Sequence, residues 1–136
     1  MDKEKYYKYM FLSAFIFNFV SGLLFAVLPI FVEGFLPFLG IENPPSMFFL
    51  HLVVLCVWSF AIFYLLAMNN LPKAKILSLV AGIAKILFFL IVFIYFILDV
   101  TAVASGCNWI AVLLMSIDGI QGVMYLEFYF RYDKFE

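Results

Sequence analysis

The sequence predicts an all-α, polytopic membrane protein: a bundle of four transmembrane helices with both termini on the cytoplasmic side. The chain has 136 residues, of which 68% are hydrophobic and 12% are charged. An average soluble domain is roughly 45–50% apolar and about 25% charged, so a soluble fold of this size would expose hydrocarbon to water. The apolar residues form four continuous runs long enough to cross a bilayer, and these runs lack the alternation of barrel strands. Seven of the eight basic residues lie on one side of the predicted membrane.

The four spans make one transmembrane domain, residues 1–136. A span needs about 20 apolar residues to cross roughly 30 Å of hydrocarbon, and the predicted spans cover about residues 9–30, 47–68, 76–98 and 102–130. The fourth span begins at Ala102 or at Trp109. Proline and glycine interrupt the chain after the first span, and Asn69-Asn70-Leu71-Pro72 ends the second. Because the second and third connections are short, we expect helices two, three and four to be sequential antiparallel neighbours.

Lysine and arginine predict the orientation, because cytoplasmic loops carry an excess of both. The first and third connections contain neither. The termini and the second connection contain all of the basic residues outside the spans: Lys3, Lys5, Lys8, Lys73, Lys75, Arg131 and Lys134. This pattern requires an even number of spans, which agrees with the four found from hydropathy. We therefore expect a multi-pass protein of the cytoplasmic (inner) membrane with both termini in the cytoplasm.

The segment 31–46 is apolar and aromatic, but it is too short to span and is interrupted by proline and glycine. We expect a partly helical segment that lies at the outer interface, over the mouth of the bundle. The alternative is a plain connecting loop with interfacial aromatic residues.

Few charged residues fall well inside the spans, and intramembrane charges usually mark functional sites. Lys85 lies ten residues past Lys75 and Asp118 thirteen residues before Arg131, which puts them roughly 15 Å and 20 Å from the inner surface at the α-helical rise. The two depths match within the reach of a lysine side chain. Since a lone charge at the bilayer centre costs about 2.5–3.5 kcal/mol on insertion scales, we predict a Lys85–Asp118 ion pair between helices three and four.

Asn18 lies at about the same depth in helix one, ten residues past Lys8. It belongs to a stripe of small residues at i+4 spacing that allows another helix to approach closely: Ala14, Asn18, Gly22 and Ala26. Helices three and four carry matching faces: Ser78, Gly82 and Lys85 on one, and Asp118, Gly122 and Tyr125 with the adjacent Gln121 on the other. We therefore predict an intramembrane polar cluster made of Asn18, Lys85, Asp118 and Gln121.

Helix two adds His51 and Trp58, which share one face because they are seven residues apart. Since helix two runs inward, Trp58 reaches mid-membrane and joins the predicted pocket, whereas His51 lies near the outer surface as a candidate outer-side site. The ordinary interpretation of His51 is an interfacial histidine in the first turn of a helix. It is the only histidine, which excludes bis-histidine haem ligation within one chain.

Neither a catalytic residue nor a cofactor nor a metal site is predicted. The sequence contains no Gly-rich phosphate loop, HExxH, GxSxG or CxxC motif. A net charge of -1 gives no basic field that would attract nucleic acid. The expected partners are the lipid bilayer and either another membrane protein or further copies of the chain.

Three short patterns carry a family resemblance: Asn18 with Gly22 in helix one, Gly82-Ile83-Ala84-Lys85 in helix three and Asp118-Gly119 in helix four. Together with the layout they resemble small prokaryotic four-helix membrane proteins of the DoxX-like type, over most of the chain. The resemblance implies accessory roles with membrane oxidoreductases, or lipid binding. It implies no catalytic residue.

Three functions are consistent with these residues. The first is a non-enzymatic protein that binds a hydrophobic ligand or a membrane partner in a pocket lined by Asn18, Trp58, Lys85 and Asp118, with segment 31–46 as its lid. The second is a small oligomeric transporter or channel in which the ion pair gates or relays protons. The third is a purely structural assembly subunit in which the pair only joins two helices.

Overall fold

The computed structural model describes residues 2–39, 44, 46–100 and 109–132, with the backbone alone at 99 and 100. These ranges contain five α-helices, and a 3-10 turn at Pro72–Ala74 precedes the fourth: α1 (Lys3–Phe31), α2 (Phe35–Phe38), α3 (Met47–Asn69), α4 (Lys75–Val100) and α5 (Trp109–Arg131). All but α2 are long and apolar enough to cross a membrane, and the described ranges contain no strand. The predicted all-α four-helix membrane bundle is confirmed.

The helix boundaries agree with the predicted spans except at the start of α1. α3 and α4 match 47–68 and 76–98 within two residues at each end. α1 begins earlier than predicted, because the Asp2 side chain caps it by accepting a hydrogen bond from the backbone N–H of Glu4 at 3.2 Å. α5 begins at Trp109, the later of the two predicted starts, and residues 101–108 lie outside the described residues.

The spanning helices form two close pairs, α1 with α3 and α4 with α5. The prediction that helices two, three and four are sequential neighbours is therefore confirmed for α4 with α5. The close partner of α3 is α1, and α3 meets α4 through the Tyr64 ring, which lies against the Lys85 ammonium. The physical reason for the pairing of α3 with α1 is the stripe of small residues on α1, which offers α3 a closer fit than a short connecting turn can impose.

Glycines bring α4 and α5 together at close range. An ideal Cβ built on Gly82 would lie 3.0 Å from the carbonyl oxygen of Gly122, and one built on Gly122 would lie 2.9 Å from the carbonyl oxygen of Gly82. The two backbones therefore meet face to face, as small residues permit between membrane helices. Such an approach leaves no room for a side chain at either glycine and so fixes the register of the pair.

Gly22 has the corresponding role between α1 and α3, where it receives the indole ring of Trp58. A Cβ built on Gly22 would lie 2.5 Å from the indole Nε1, and this nitrogen donates a hydrogen bond to the carbonyl oxygen of Phe19 at 3.2 Å. Seven residues away on both helices, His51 Nε2 lies 3.4 Å from the carbonyl oxygen of Ala26. Two aromatic nitrogens of α3 thus follow one face of α1 at a two-turn interval.

The two helix pairs are joined by four side chains that are at most 1% exposed, which we call the aromatic layer: Phe11, Tyr64, Tyr125 and Phe128. Phe11 stacks on Tyr125 with 5.4 Å between ring centres and meets Phe128 edge-on at 5.3 Å. Tyr64 lies 5.2 Å from Tyr125. The layer lies toward the end of the bundle where α1 begins, α5 ends and the Pro72–Ala74 turn packs. We call this the terminal end.

Burial along α4 stops at Lys85. On α4, Ser78, Ala81 and Lys85 are buried, whereas no side chain from 86 to 98 is. The same change occurs on α1, where no side chain from 23 to 31 is buried. Along α1 and α4 the bundle is therefore closely packed toward its terminal end and loosely packed toward the opposite end, where Val54 of α3 and Ala111 of α5 are the buried residues of the other two helices.

The described part of segment 31–46 lies against α1. Gly34, with a φ of 91°, turns the chain after α1, and the short helix α2 follows. Phe35 of α2 packs edge-on against Phe25 of α1 with 5.6 Å between ring centres. The partly helical conformation is confirmed for the described part, and the lid role of the segment stays a prediction.

The glycine contact predicts that Gly122→Ala destabilises the protein. The added Cβ would lie 2.7 Å from Ile86 Cγ1 and 2.9 Å from a backbone oxygen that cannot move aside. Overpacking of this kind costs about 1–3 kcal/mol, measured as the free energy of unfolding in mixed micelles. Gly119→Ala is the matched control, because the atoms nearest to its Cβ would belong to the side chain of Phe89, at 3.1 Å, rather than to the backbone. Equal stability of the two variants would contradict the close seam.

Candidate functional site: an intramembrane polar cluster

An ion pair between α4 and α5 is the centre of the candidate site. Lys85 Nζ donates to Asp118 Oδ1, and the two residues are 7% and 9% exposed. The glycine contact positions them, because Gly82 lies one turn before Lys85 and Gly122 lies one turn after Asp118. The side chains therefore meet beside the closest approach of the two backbones. The predicted Lys85–Asp118 ion pair is confirmed.

The remaining spanning helices complete the surroundings of the ammonium group. Lys85 Nζ also donates to Asn18 Oδ1 of α1 at 3.3 Å, and Asn18 is 7% exposed. Lys85 Nζ lies 5.6 Å from the ring centre of Tyr64 on α3 and 5.8 Å from that of Phe17 on α1, within the range of cation–π attraction. Lys85 thus contacts groups from α1, α3 and α5. The predicted meeting of Asn18 with the ion pair is confirmed.

Tyr64 belongs to the site, although sequence reasoning did not include it. Its hydroxyl lies near that of Tyr125 and within electrostatic range of Asp118. The signal that would have found it is its position three residues from both Ala61 and Ala67, which are small and buried. These alanines mark the inward face of α3, and Tyr64 is the polar member of that face.

Two buried polar atoms of α5 have no hydrogen-bond partner in the part of the chain that the structure describes: Gln121 Oε1 and the Tyr125 hydroxyl. Gln121 is 6% exposed and Tyr125 is fully buried. Both lie on the face of α5 that carries Asp118, at three- and four-residue spacing. The Tyr64 hydroxyl is close to that of Tyr125, but the two form no hydrogen bond of acceptable geometry. Gln121 therefore lies on the same buried face as the ion pair, as predicted, with unused capacity to accept a hydrogen bond.

Trp58 and His51 line a separate groove on the surface of the α1–α3 pair. The groove has a volume of about 300 Å³ and is otherwise apolar, being completed by Ala26, Phe48, Leu52, Val54 and Leu55. The members of the polar cluster do not line it. Trp58 is therefore placed apart from the predicted pocket, because Gly22 makes room for its indole on α1 and the Phe19 carbonyl binds it there. Whether His51 forms an outer-side site stays a prediction.

The cluster is electrically balanced, with one ammonium and one carboxylate group. Breaking such a buried pair is costly, whereas the intact pair adds little stability compared with apolar packing. It offers charged and hydrogen-bonding groups to the polar part of a ligand, and a donor and an acceptor between which a proton can move. Within the described ranges, His, Cys, Asp and Glu side chains form no group of three that would hold a metal ion.

Comparisons with protein-family models, with curated proteins and with solved structures found no match. The resemblance to DoxX-like proteins therefore stays a prediction, and function is inferred from the residues of this chain.

Removing one partner of the ion pair is expected to destabilise the protein more than removing both. Lys85→Met and Asp118→Leu each leave an unpaired charge in the bundle, at a cost of about 3–5 kcal/mol. The double variant should recover most of this loss, because apolar residues of similar volume replace buried pairs at little net cost. The measurement is the free energy of unfolding in mixed micelles.

The matched control is the pair between Glu127 and Arg131, which lies exposed near the end of α5 with 3.1 Å between Oε1 and Nη1. Exposed pairs contribute about 0–1 kcal/mol, so Glu127→Gln and Arg131→Gln should change stability little, alone or together. Strictly additive losses from Lys85→Met and Asp118→Leu would refute the energetic coupling of the buried pair.

Proposed function

We propose that the chain is a non-enzymatic membrane protein that binds a hydrophobic ligand with a polar end, and that the cluster of Asn18, Lys85 and Asp118 receives that end. The observation that carries the proposal is the position of the cluster, at the boundary between the closely and loosely packed halves of the bundle. A few convergent polar groups at the edge of an apolar space are typical of small-molecule sites.

The loosely packed half supplies the apolar part of this site. Beyond Lys85, the side chains of α4 from 86 to 98 are exposed or half-buried, and so are those of α1 from 23 to 31. Both stretches are almost entirely apolar. An acyl or isoprenoid chain would find matching contacts along them while its polar end meets the ammonium and carboxylate groups.

The aromatic layer supports binding rather than conduction. Its four side chains are at most 1% exposed and lie between the cluster and the terminal end. An ion or proton that crosses the membrane through one chain has to pass this layer, whereas a ligand that enters from the opposite end does not.

Ligand binding is tested by lipid extraction and mass spectrometry of the purified protein. The wild type is expected to retain a defined lipophilic molecule. The Lys85→Met, Asp118→Leu double variant is expected to keep its fold and to retain about tenfold less of this molecule, equivalent to ~1.4 kcal/mol. The Glu127→Gln, Arg131→Gln variant should retain it. Equal retention by both double variants would overturn the proposal. If the wild type instead retained another membrane protein, and the Lys85→Met, Asp118→Leu variant did not, the cluster would bind a membrane partner rather than a lipid.

The transporter alternative predicts a different result in liposomes. We expect no pH-dependent or ion-dependent flux from reconstituted protein, because the aromatic layer blocks the path. A flux that disappears in the Lys85→Met, Asp118→Leu double variant and persists in the Glu127→Gln, Arg131→Gln variant would favour the small transporter or proton relay.

The orientation within the inner membrane is part of the proposal. Basic residues at the two termini and at the Pro72–Ala74 turn support a cytoplasmic terminal end. Lys73→Cys, in a chain whose Cys56 and Cys107 are replaced by serine, tests it, because Lys73 is exposed. A membrane-impermeant maleimide should label this cysteine only after cells are permeabilised. Labelling of intact cells would reverse the orientation.

A further inference from the structure

We propose that Gln121 and Tyr125 bind a neutral hydroxyl group in the interior of the bundle, beside the ion pair. Both residues are buried, at 6% and 0% exposure, and each has a polar atom without a partner among the described residues. Buried polar groups in native proteins nearly always have a hydrogen-bond partner, in protein or in bound water. In a membrane the cost of an unmet group is higher still, because lipid cannot replace the partner.

The chemistry of the two atoms defines what they bind. Gln121 Oε1 can only accept a hydrogen bond, whereas the Tyr125 hydroxyl can donate one. A single hydroxyl group satisfies both, because it donates to the amide oxygen and accepts from the phenol. The two residues lie one turn apart on the same face of α5, about 6 Å along the helix axis.

The surroundings favour a neutral group over a charged one. The charges of Lys85 and Asp118 already balance each other, and Asn18 occupies a further position on the ammonium. A carboxylate or phosphate would meet the oxygen of Gln121 without a proton to donate. An added cation or anion would also remain uncompensated among the aromatic rings, at a high desolvation cost.

The hydroxyl group has two sources, water and the polar end of a lipophilic alcohol. Water needs two to four polar partners, and Gln121, Tyr125 and the nearby Tyr64 hydroxyl supply them. The lipophilic alcohol rests on the proposed function, since its chain would lie in the loosely packed half. The shared requirement is one neutral O–H.

The sign of two stability changes tests the site. If a hydroxyl is bound, Gln121→Met and Tyr125→Phe each leave one buried partner unmet and lower the thermal midpoint of the purified protein by several degrees. The double variant removes both groups and should recover most of that loss. If nothing is bound, each substitution removes an unmet polar atom, so both single variants should raise the midpoint. That outcome would overturn the proposal. Tyr9→Phe is the control for loss of a tyrosine hydroxyl, because Tyr9 is 59% exposed.

Two direct measurements identify the source and give an answer independent of folding. For water, solid-state NMR of protein stripped of extractable lipid should show magnetisation transfer from water to the Gln121 side chain, and Tyr125→Phe should abolish it. For a lipophilic alcohol, mass spectrometry should detect a hydroxylated lipid in the wild type, at severalfold lower occupancy in Gln121→Met and Tyr125→Phe. The absence of both signals from the folded wild type would refute the site. A water signal in the wild type would support this site. If the Lys85→Met, Asp118→Leu variant then retained as much lipid as the wild type, the proposed ligand would be refuted while this site stood.

Discussion

The requirement to pair Lys85 within the hydrocarbon region constrains the rest of the bundle. Placing a lone ammonium group there costs several kcal/mol. Contacts with one residue from each of the other spanning helices offset this cost: Asp118, Asn18 and Tyr64. Because these partners come from the three other spanning helices, satisfying one charge constrains the relative heights of all four. The glycine contact between α4 and α5 and the indole contact between α1 and α3 then fix how closely each pair approaches.

Close backbone approach replaces the hydrophobic effect as the source of helix pairing in this protein. Lipid chains are as apolar as leucine, so burying apolar side chains between helices gains little, and shape and polar contacts decide the partners. Among the glycines that the structure describes, Gly22 against Trp58 and Gly122 against Gly82 and Ile86 are the two where an added Cβ would lie closer than 3.0 Å to a neighbour. The pairs chosen by these contacts, α1 with α3 and α4 with α5, differ from the order along the chain. The connecting turns therefore follow the packing rather than determine it.

The sequence predicted features that depend on one dimension, depth in the membrane. Counting residues from the basic ends placed Lys85 and Asp118 at matching heights, and their pairing is confirmed, as are the spans of α3 and α4. Features that depend on the rotation of a helix about its axis were not predictable in the same way. Trp58, predicted to line the pocket at mid-membrane depth, packs against Gly22, and Tyr64 was missed on a helix whose other faces are equally apolar. Such choices depend on side-chain shape, which the apolar pattern of a membrane helix does not record.

The uneven packing of the bundle bears on why the chain keeps a buried charge pair. A pair that only joined α4 to α5 would add little beyond what apolar residues supply, and the glycine contact already holds these helices together. The pair instead lies where burial along α1 and α4 ends, with the aromatic layer on one side and unburied apolar side chains of these two helices on the other. The buried polar atoms of Gln121 and Tyr125 without a partner among the described residues continue this polar region from the ion pair toward the terminal end. Polar capacity concentrated at such a boundary is costly for a purely structural element and useful for a site that receives the polar end of a ligand, which is the physical argument for binding over assembly alone.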